Sequence, residues 1–188
     1  MNTLAHIRIS PEATILNNKV IASDSIVALY RRFVGDYPKF FKMDSLCKLG
    51  FVAAELLLRD LSPEVKENAA ILLFNRNASL ITDRAYQKTI NDPDNFFPSP
   101  ALFVYTLANI VTGEIAIRHK IYGETSFIVI PEFDQNLIDR EIANIFLSSQ
   151  ASPLSTPSSF TSPSCVLAGW VDFNDDTDYL ADLKVVTI

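Results

Sequence analysis

The chain has 188 residues, of which 48% are apolar and 20% are charged, and its formal net charge is −6. A disordered chain would be poorer in apolar residues and richer in charge, so the composition predicts a compact protein of one domain. The negative charge argues against a nucleic-acid binder or a partner of anionic membranes, since both need a positive field. Two cysteines cannot form a disulfide framework, which favours a reducing cytosol, and two histidines exclude most histidine-rich metal sites.

The amino terminus and the apolar runs give no sign of a membrane protein. The start, MNTLAHIRIS, lacks a charged segment followed by an apolar run, so no secretory signal is predicted. The longest apolar stretch, residues 101–111, is too short and too polar to cross a bilayer. We therefore expect a soluble, cytoplasmic protein without a membrane partner.

Strands and helices alternate in the predicted order of elements. Apolar and β-branched runs predict strands at residues 6–10, 15–21 (a hairpin around Asn17-Asn18), 68–77, 126–133, 165–173 and 181–188. Apolar residues at helical spacing predict helices at residues 26–34, 43–61, 82–92, 102–121 and 137–149. Asp24 or Ser25 is the expected cap of the first helix, and Asp44 or Ser45 that of the second. This alternation predicts a mostly parallel sheet between helical layers, with the last two strands free to run antiparallel.

Residues 148–164, SSQASPLSTPSSFTSPS, are dominated by serine, threonine and proline. No packed element can be built from that composition, so a flexible loop is expected there. The whole chain, 1–188, is otherwise predicted to be one domain.

Three segments, in order, resemble the β-ketoacyl synthases of the thiolase-like superfamily. Residues 100–129, PALFVYTLANIVTGEIAIRHKIYGETSFIV, resemble the small-residue helix, the R-x-x-x-x-G turn and the strand that bears the nucleophile in that family, with Arg118 and Gly123 at the turn. Residues 41–58, FKMDSLCKLGFVAAELLL, resemble the family's first long helix. Residues 165–173, CVLAGWVDF, resemble the strand ending in Ala-Gly-x-x-Glu. The resemblance implies an α/β fold, a thiolase-like half-domain with a five-stranded mixed sheet between helical layers, and only the N-terminal half of a synthase.

The resemblance also implies a lost active site. Counting from Gly123, the position of the family's nucleophilic cysteine falls on Glu132, within Ile130-Pro131-Glu132-Phe133. A carboxylate is a poor acyl acceptor from a thioester, because the mixed anhydride formed is more reactive than the bond broken. Pro131 lacks a backbone N–H of the kind that forms an oxyanion hole. The second half of the fold, which carries the family's histidines, is absent as well.

The remaining reactive residues have ordinary structural interpretations. Cys47 and Cys165 are expected to be buried thiols, His119 a partner of a helix carboxyl end, and His6 a strand residue. Glu132 and Asp134 near a helix start fit a cap and a dipole partner, or a relict general base. Residues 172–178, DFNDDTD, lack the glycine and the final glutamate of a calcium loop, so no metal and no cofactor are predicted. The basic residues Arg31, Arg32, Lys39 and Lys42 suit a solvated face or an acidic acyl carrier protein.

Two classes of function follow from the resemblance. The first is a non-catalytic accessory protein of a fatty-acid or polyketide type of pathway, forming a homodimer or a heterodimer with a full-length ketosynthase, since a half-domain exposes an apolar face. The alternatives are a residual thioester decarboxylase or hydrolase using Glu132, and a module that binds an acyl chain in an apolar pocket.

Overall fold

The computed structural model describes residues 1–148 and 162–188, and within them it contains one sheet of seven strands. The strands are β1 (Asn2–Ile9), β2 (Thr14–Leu16), β3 (Lys19–Ala22), β4 (Ala70–Asn75), β5 (Thr125–Val129), β6 (Val166–Asp175) and β7 (Asp178–Thr187). The helices are α1 (Ile26–Phe33), α2 (Ser45–Leu58), α3 (Pro63–Glu67), α4 (Leu80–Lys88), α5 (Pro100–Val104), α6 (Ile110–His119) and α7 (Gln135–Ser148). Short 3₁₀ turns lie at Pro38–Lys42 and Pro93–Asn95. The middle of the 148–164 segment lies outside the described residues.

The sheet order is β3-β2-β1-β7-β6-β4-β5, so β5 is an edge strand. β4 runs parallel to both β5 and β6, and the other four pairings are antiparallel. The sheet is therefore mixed, as predicted, but it has seven strands rather than five and is not mostly parallel. The difference arises at the amino terminus, where β1, β2 and β3 form an antiparallel meander that β7 joins to the rest.

The tight turn between β2 and β3 explains this meander. Asn17 and Asn18 have φ angles of 49° and 64°. Successive positive φ angles define the type I′ turn, whose twist matches that of a two-stranded hairpin, and asparagine tolerates this conformation better than most residues. The hairpin expected around Asn17-Asn18 is thus confirmed.

Helices cover the two faces of the sheet unequally. On one face α2 lies deep in the larger core with eleven buried residues, and Asp44 caps it by accepting a hydrogen bond from the N–H of Cys47 at 2.9 Å. On the other face α7 packs Ile138, Ile142 and Phe146 on β4 and β6. That 4-residue spacing places the three side chains on one side of a helix. The predicted caps Asp44 and, for α1, Ser25 are both confirmed.

The single helix expected over residues 102–121 is instead two helices, α5 and α6. The chain leaves the helical path at Tyr105, and the carbonyl of Thr106 accepts the Ser79 hydroxyl instead of a helical N–H. Residue Lys120 then ends α6 in the left-handed conformation, before the predicted end at Tyr122-Gly123. Gly123 serves a different purpose: a Cβ there would lie 2.2 Å from the Ala69 carbonyl oxygen, so only glycine lets the chain pass β4 so closely.

Candidate functional site

The turn after β5 lies at the carboxyl edge of the parallel part of the sheet, where open α/β folds commonly bind ligands. Its first residue, Ile130, donates its N–H to the carbonyl of Asn75 at the end of β4, at 2.9 Å. Its last residue, Asp134, caps α7 by accepting from the N–H groups of Asn136 and Leu137 at 2.9 and 3.0 Å. Glu132 therefore lies between a strand and the helix that follows it. This strand is at the sheet edge, and the run predicted to be buried is only partly so.

Glu132 is isolated from the groups that acyl-transfer chemistry needs. Its side chain is exposed, and among the described residues its carboxylate forms neither a hydrogen bond nor an ion pair. The next residue, Phe133, packs edge-to-face on Trp170, with ring centroids 5.8 Å apart. The turn thus brings together an exposed carboxylate, a proline and an aromatic pair, and no cysteine or histidine of the described chain is paired with Glu132.

The acidic run 172–178 has a structural role at the same edge. Asp172 is buried and accepts hydrogen bonds from the N–H groups of Arg76 and Asn77 at 3.3 and 3.2 Å and from the Asn77 amide at 3.0 Å. These bonds fix the loop after β4 to β6. Within the described residues no group of three or more His, Cys, Asp or Glu side chains is arranged to hold a metal ion.

Both cysteines lie in the core as free thiols. Burial raises the pKa of Cys47, to which the carboxylate of Asp44 adds, and burial also raises the pKa of Cys165. Because the thiolate is the nucleophile, a raised pKa makes both groups unreactive at neutral pH.

Glu114 is a buried acidic residue that the sequence analysis did not identify. It is buried in α6, where one carboxylate oxygen lies 2.8 Å from Lys39 Nζ and 3.4 Å from the Tyr105 hydroxyl. Its other oxygen is buried without a partner. The signal in the sequence was a single acidic residue within the apolar stretch that α5 and α6 share. The ion pair fastens the 3₁₀ turn at Lys39 to α6, which is a structural role.

The predicted basic cluster is partly neutralised within the chain. Lys39 is paired with Glu114, and Arg32 lies 3.2 Å from an Asp24 carboxylate oxygen. Arg31 lies over the ring of exposed Phe41, 6.0 Å from its centroid. Of the four residues, Arg31 and Lys42 lack a carboxylate partner among the described residues.

Each of the two histidines lies beside a carboxylate of another element. His6 on β1 lies 2.7 Å from a carboxylate oxygen of Asp182 on β7. His119, at the end of α6, lies with Nε2 3.3 Å from Glu55 on α2, and Arg118 lies 2.7 Å from the same Glu55 oxygen. His119 thus pairs with a side chain of another helix, beyond the helix-end role that was expected.

The Glu55 contacts give a testable pH dependence. Burial raises the pKa of Glu55, but His119 and Arg118 outweigh it and leave the pKa below its ordinary value. A lowered folded-state pKa stabilises the protein above the unfolded-state pKa, and this contribution disappears as the pH falls through the folded-state value. We expect Glu55→Gln to cost about 1–3 kcal/mol at pH 7 and to flatten the acid side of the stability curve. Urea unfolding between pH 3 and pH 7 measures both effects. Exposed Glu132→Gln, whose carboxylate has no hydrogen bond or ion pair among the described residues, serves as control. Parallel curves for Glu55→Gln and the parent would contradict the assignment.

An apolar groove lies between α2, α4 and α5. It has a volume of about 220 Å³ and is lined mainly by Leu46, Ile81, Ala85, Leu102 and Phe173, with the polar groups of Asp44 and Thr82 at its side. Small-molecule sites usually enclose about 300–1,000 Å³. The groove is therefore small for an acyl chain with its thioester carrier.

Within residues 1–148 and 162–188, β5 has a neighbouring strand on one side only, and its other side is here called the open edge. The Ile71 N–H donates to the Glu124 carbonyl and the Ile130 N–H to the Asn75 carbonyl, so even-numbered residues of this segment bond to β4. Alternation along a strand then turns the N–H and C=O groups of Thr125, Phe127 and Val129 to the open edge. Edge strands are normally protected by charges, bulges or proline within the strand, and TSFIV has none of these.

More than half of the large exposed apolar side chains lie in one part of the sequence. Of the sixteen large exposed apolar side chains among the described residues, nine fall between residues 96 and 133. They are Phe96, Phe97, Phe103, Val104, Leu107, Ile117, Tyr122, Val129 and Phe133, here called the 96–133 apolar side chains. They belong to several elements: Phe103 on α5 lies beside Tyr86 of α4, whereas Val129 belongs to β5 itself and Phe133 to the turn after it.

The fold agrees with that of a solved structure. A solved complex of the ketosynthase ApeO with its chain length factor ApeC, from Xenorhabdus doucetiae, contains a chain similar to 99% of this one, with 78% of that chain covered, a TM-score of 0.64 and 14% identity. No model of a known protein family and no curated protein matches the sequence. At this identity the likeness shows the fold alone, so this chain shares the α/β fold of that solved chain. Within the described residues no helix combines the length and apolar character needed to cross a membrane.

Proposed function

We propose that this chain is a non-catalytic, ketosynthase-like accessory subunit that pairs with a full-length ketosynthase in fatty-acid or polyketide-type biosynthesis. The open, apolar edge of β5 carries the proposal, because an unprotected edge strand needs a partner. The similar solved chain belongs to a complex between a ketosynthase and its chain length factor. A cytoplasmic location is part of the proposal.

Glu132 supports an accessory role rather than a catalytic one. Sequence counting places it where the family has its nucleophilic cysteine, and a carboxylate does not form a stable acyl intermediate from a thioester. Among the described residues its carboxylate has no hydrogen-bond or ion-pair partner, so no second group is paired with it to serve as the acid or to orient a thioester in a hydrolytic step. Pro131 offers no N–H to a developing oxyanion.

The surface around β5 supports a partner of similar fold. In antiparallel or parallel addition, the outward groups of Thr125, Phe127 and Val129 would complete a ladder across the interface. Exposed Val129 on the strand and exposed Phe133 in the turn after it would supply apolar contact in such a pairing. A stable interface of this kind buries about 1,200–2,000 Å² in total.

Co-expression with a full-length ketosynthase of the same organism tests the proposal. We expect a 1:1 complex that survives gel filtration, with its mass measured by light scattering at micromolar concentration. Two separate peaks, with each protein folded by circular dichroism, would contradict the accessory role.

Turnover of a malonyl thioester separates this proposal from the residual-enzyme alternative. We expect the purified chain to release no carbon dioxide above the buffer rate, because it lacks a nucleophile and an adjacent base. Decarboxylation that Glu132→Gln abolishes would instead establish the enzyme, whereas decarboxylation unchanged by this substitution would point to a contaminating synthase.

The acyl carrier protein is a further proposed partner. Arg31 and Lys42, the members of the basic cluster without an internal carboxylate partner, lie beside exposed Phe41. Carrier proteins are acidic, and a pair of free cations next to an exposed ring suits such a surface.

A further inference from the structure

We propose that the groove between α2, α4 and α5 binds a free α-amino acid with an apolar side chain, such as leucine or phenylalanine. The groove combines apolar walls with one carboxylate, that of Asp44, and one ammonium group, that of Lys48. A small zwitterion with an apolar body matches all three features. The groove lies on the α2 side of the sheet, away from the β5 edge, so this inference does not rest on the proposed accessory function.

Apolar side chains from four elements form the walls of the groove. They are Leu46 on α2, Ile81 and Ala85 on α4, Leu102 on α5, and Phe173 near the carboxyl end of β6. The ring of Phe173 stacks on that of Tyr179, with centroids 5.7 Å apart, which holds this wall in place. The volume of about 220 Å³ is below the range of about 300–1,000 Å³ that is typical of small-molecule sites. The walls therefore suit one compact apolar group, such as the side chain of leucine or phenylalanine.

Lys48 supplies a positive charge that no other side chain of the described residues neutralises. It is half-buried and lines the groove, yet it forms no ion pair within residues 1–148 and 162–188. An ammonium group beside apolar walls attracts an anion, because a charge-assisted hydrogen bond is stronger where less water competes for it. The carboxylate of a bound amino acid would be that anion.

Asp44 supplies the opposite charge one helical turn away. One of its carboxylate oxygens accepts from the N–H of Cys47 at 2.9 Å, and the other accepts from the Thr82 hydroxyl at 2.6 Å. A carboxylate can accept about four hydrogen bonds, so these two leave capacity for the ammonium group of a ligand. Residues four apart lie on the same side of a helix, yet Asp44 and Lys48 form no ion pair with each other. The two charged groups of an amino acid branch from one carbon atom and can reach both side chains.

Ligands with a single charge fit the groove less well. A carboxylic acid with the same apolar body would satisfy Lys48 but bring a second negative charge beside Asp44. The corresponding amine would satisfy Asp44 but bring a second positive charge beside Lys48. Like charges at such short separations repel, so the pair of charged residues selects a zwitterion.

Ligand-observed NMR titration of the purified chain tests the proposal with leucine and three analogues. We expect leucine to bind with a dissociation constant of about 0.1–1 mM, which is typical of a ligand with about nine non-hydrogen atoms. Glycine lacks the apolar side chain, isocaproate lacks the ammonium group, and isoamylamine lacks the carboxylate. Each analogue is expected to bind at least about tenfold more weakly than leucine. No saturable binding of leucine or phenylalanine up to about 10 mM would overturn the proposal, as would isocaproate or isoamylamine binding as tightly as leucine.

Substitutions in the chain locate the binding site. Lys48→Met removes the ammonium group but keeps an apolar stem, and it should weaken leucine binding at least about tenfold. Lys88→Met is the matched control, because Lys88 is exposed on α4 and does not line the groove. Ala85→Phe should abolish binding by filling the groove, with circular dichroism checking that the variant is folded. Equal leucine affinity in Lys48→Met and Lys88→Met would contradict the assignment of the site, whether or not Ala85→Phe folds.

Discussion

Replacing Gly169 with alanine is expected to leave little folded protein. Gly169 lies within β6 with φ at +145°, a conformation that side chains rarely adopt, and a Cβ there would lie 2.1 Å from the Asp182 carbonyl oxygen of β7. The backbone strain and the clash together cost about 4 kcal/mol or more, against a typical total stability of about 5–15 kcal/mol. Yield of soluble protein and urea unfolding measure the effect.

Gly113→Ala provides a control with the same chemical change. Gly113 lies inside α6, where an added Cβ meets nothing within 4 Å. Alanine is a better helix former, so this variant should gain about 0.5–1 kcal/mol. Equal losses in both variants would mean that the strain at Gly169 is not what makes glycine necessary.

Val129→Pro is expected to weaken the ketosynthase complex by roughly a hundredfold while the free chain stays folded. The N–H of Val129 faces the open edge, and the bonds of β5 to β4 come from the even-numbered residues of this segment. Proline removes a ladder donor and places a ring against the incoming strand, yet an edge strand tolerates it. Titration of the purified ketosynthase by calorimetry or biolayer interferometry measures the affinity.

Val129→Thr is the matched control, because it has nearly the same shape and keeps the backbone N–H. The side chain at this position is exposed, so the affinity of the Val129→Thr chain for the ketosynthase should remain within a few-fold of the parent's. A Val129→Pro chain that binds as tightly as Val129→Thr would place the partner elsewhere, and the 96–133 apolar side chains would then be the next surface to alter.

The family resemblance was carried by local patterns. The small-residue helix with Arg118 and Gly123, and the count to Glu132, came from residue types at fixed spacing. The structure shares its fold with a chain of the solved ketosynthase–chain length factor complex, and Glu132 lies between β5 and α7. Helix caps at Ser25 and Asp44 and the Asn17-Asn18 hairpin followed from chemistry within a few residues. Such features depend on neighbours along the chain, which the sequence displays directly.

Other predictions were wrong where contacts between distant parts of the chain determine the local structure. The break between α5 and α6 depends on the Ser79 hydroxyl, which lies 27 positions away from Thr106 in sequence. The meander that raises the sheet to seven strands depends on β1 pairing with β7 at the opposite end of the chain. Neither contact leaves a local signal in residue order.

What the sequence by itself determined is most of the strands and helices, the caps at Ser25 and Asp44 and the Asn17-Asn18 turn. Only the tertiary structure decided that β5 pairs with a single strand of the described chain, and that Glu114 and Asp172 are buried polar groups. The physical reason is that an apolar run shows which residues favour burial, whereas long-range packing decides which other segment buries them. Within the described residues, β5 is covered by another strand, β4, on one edge only.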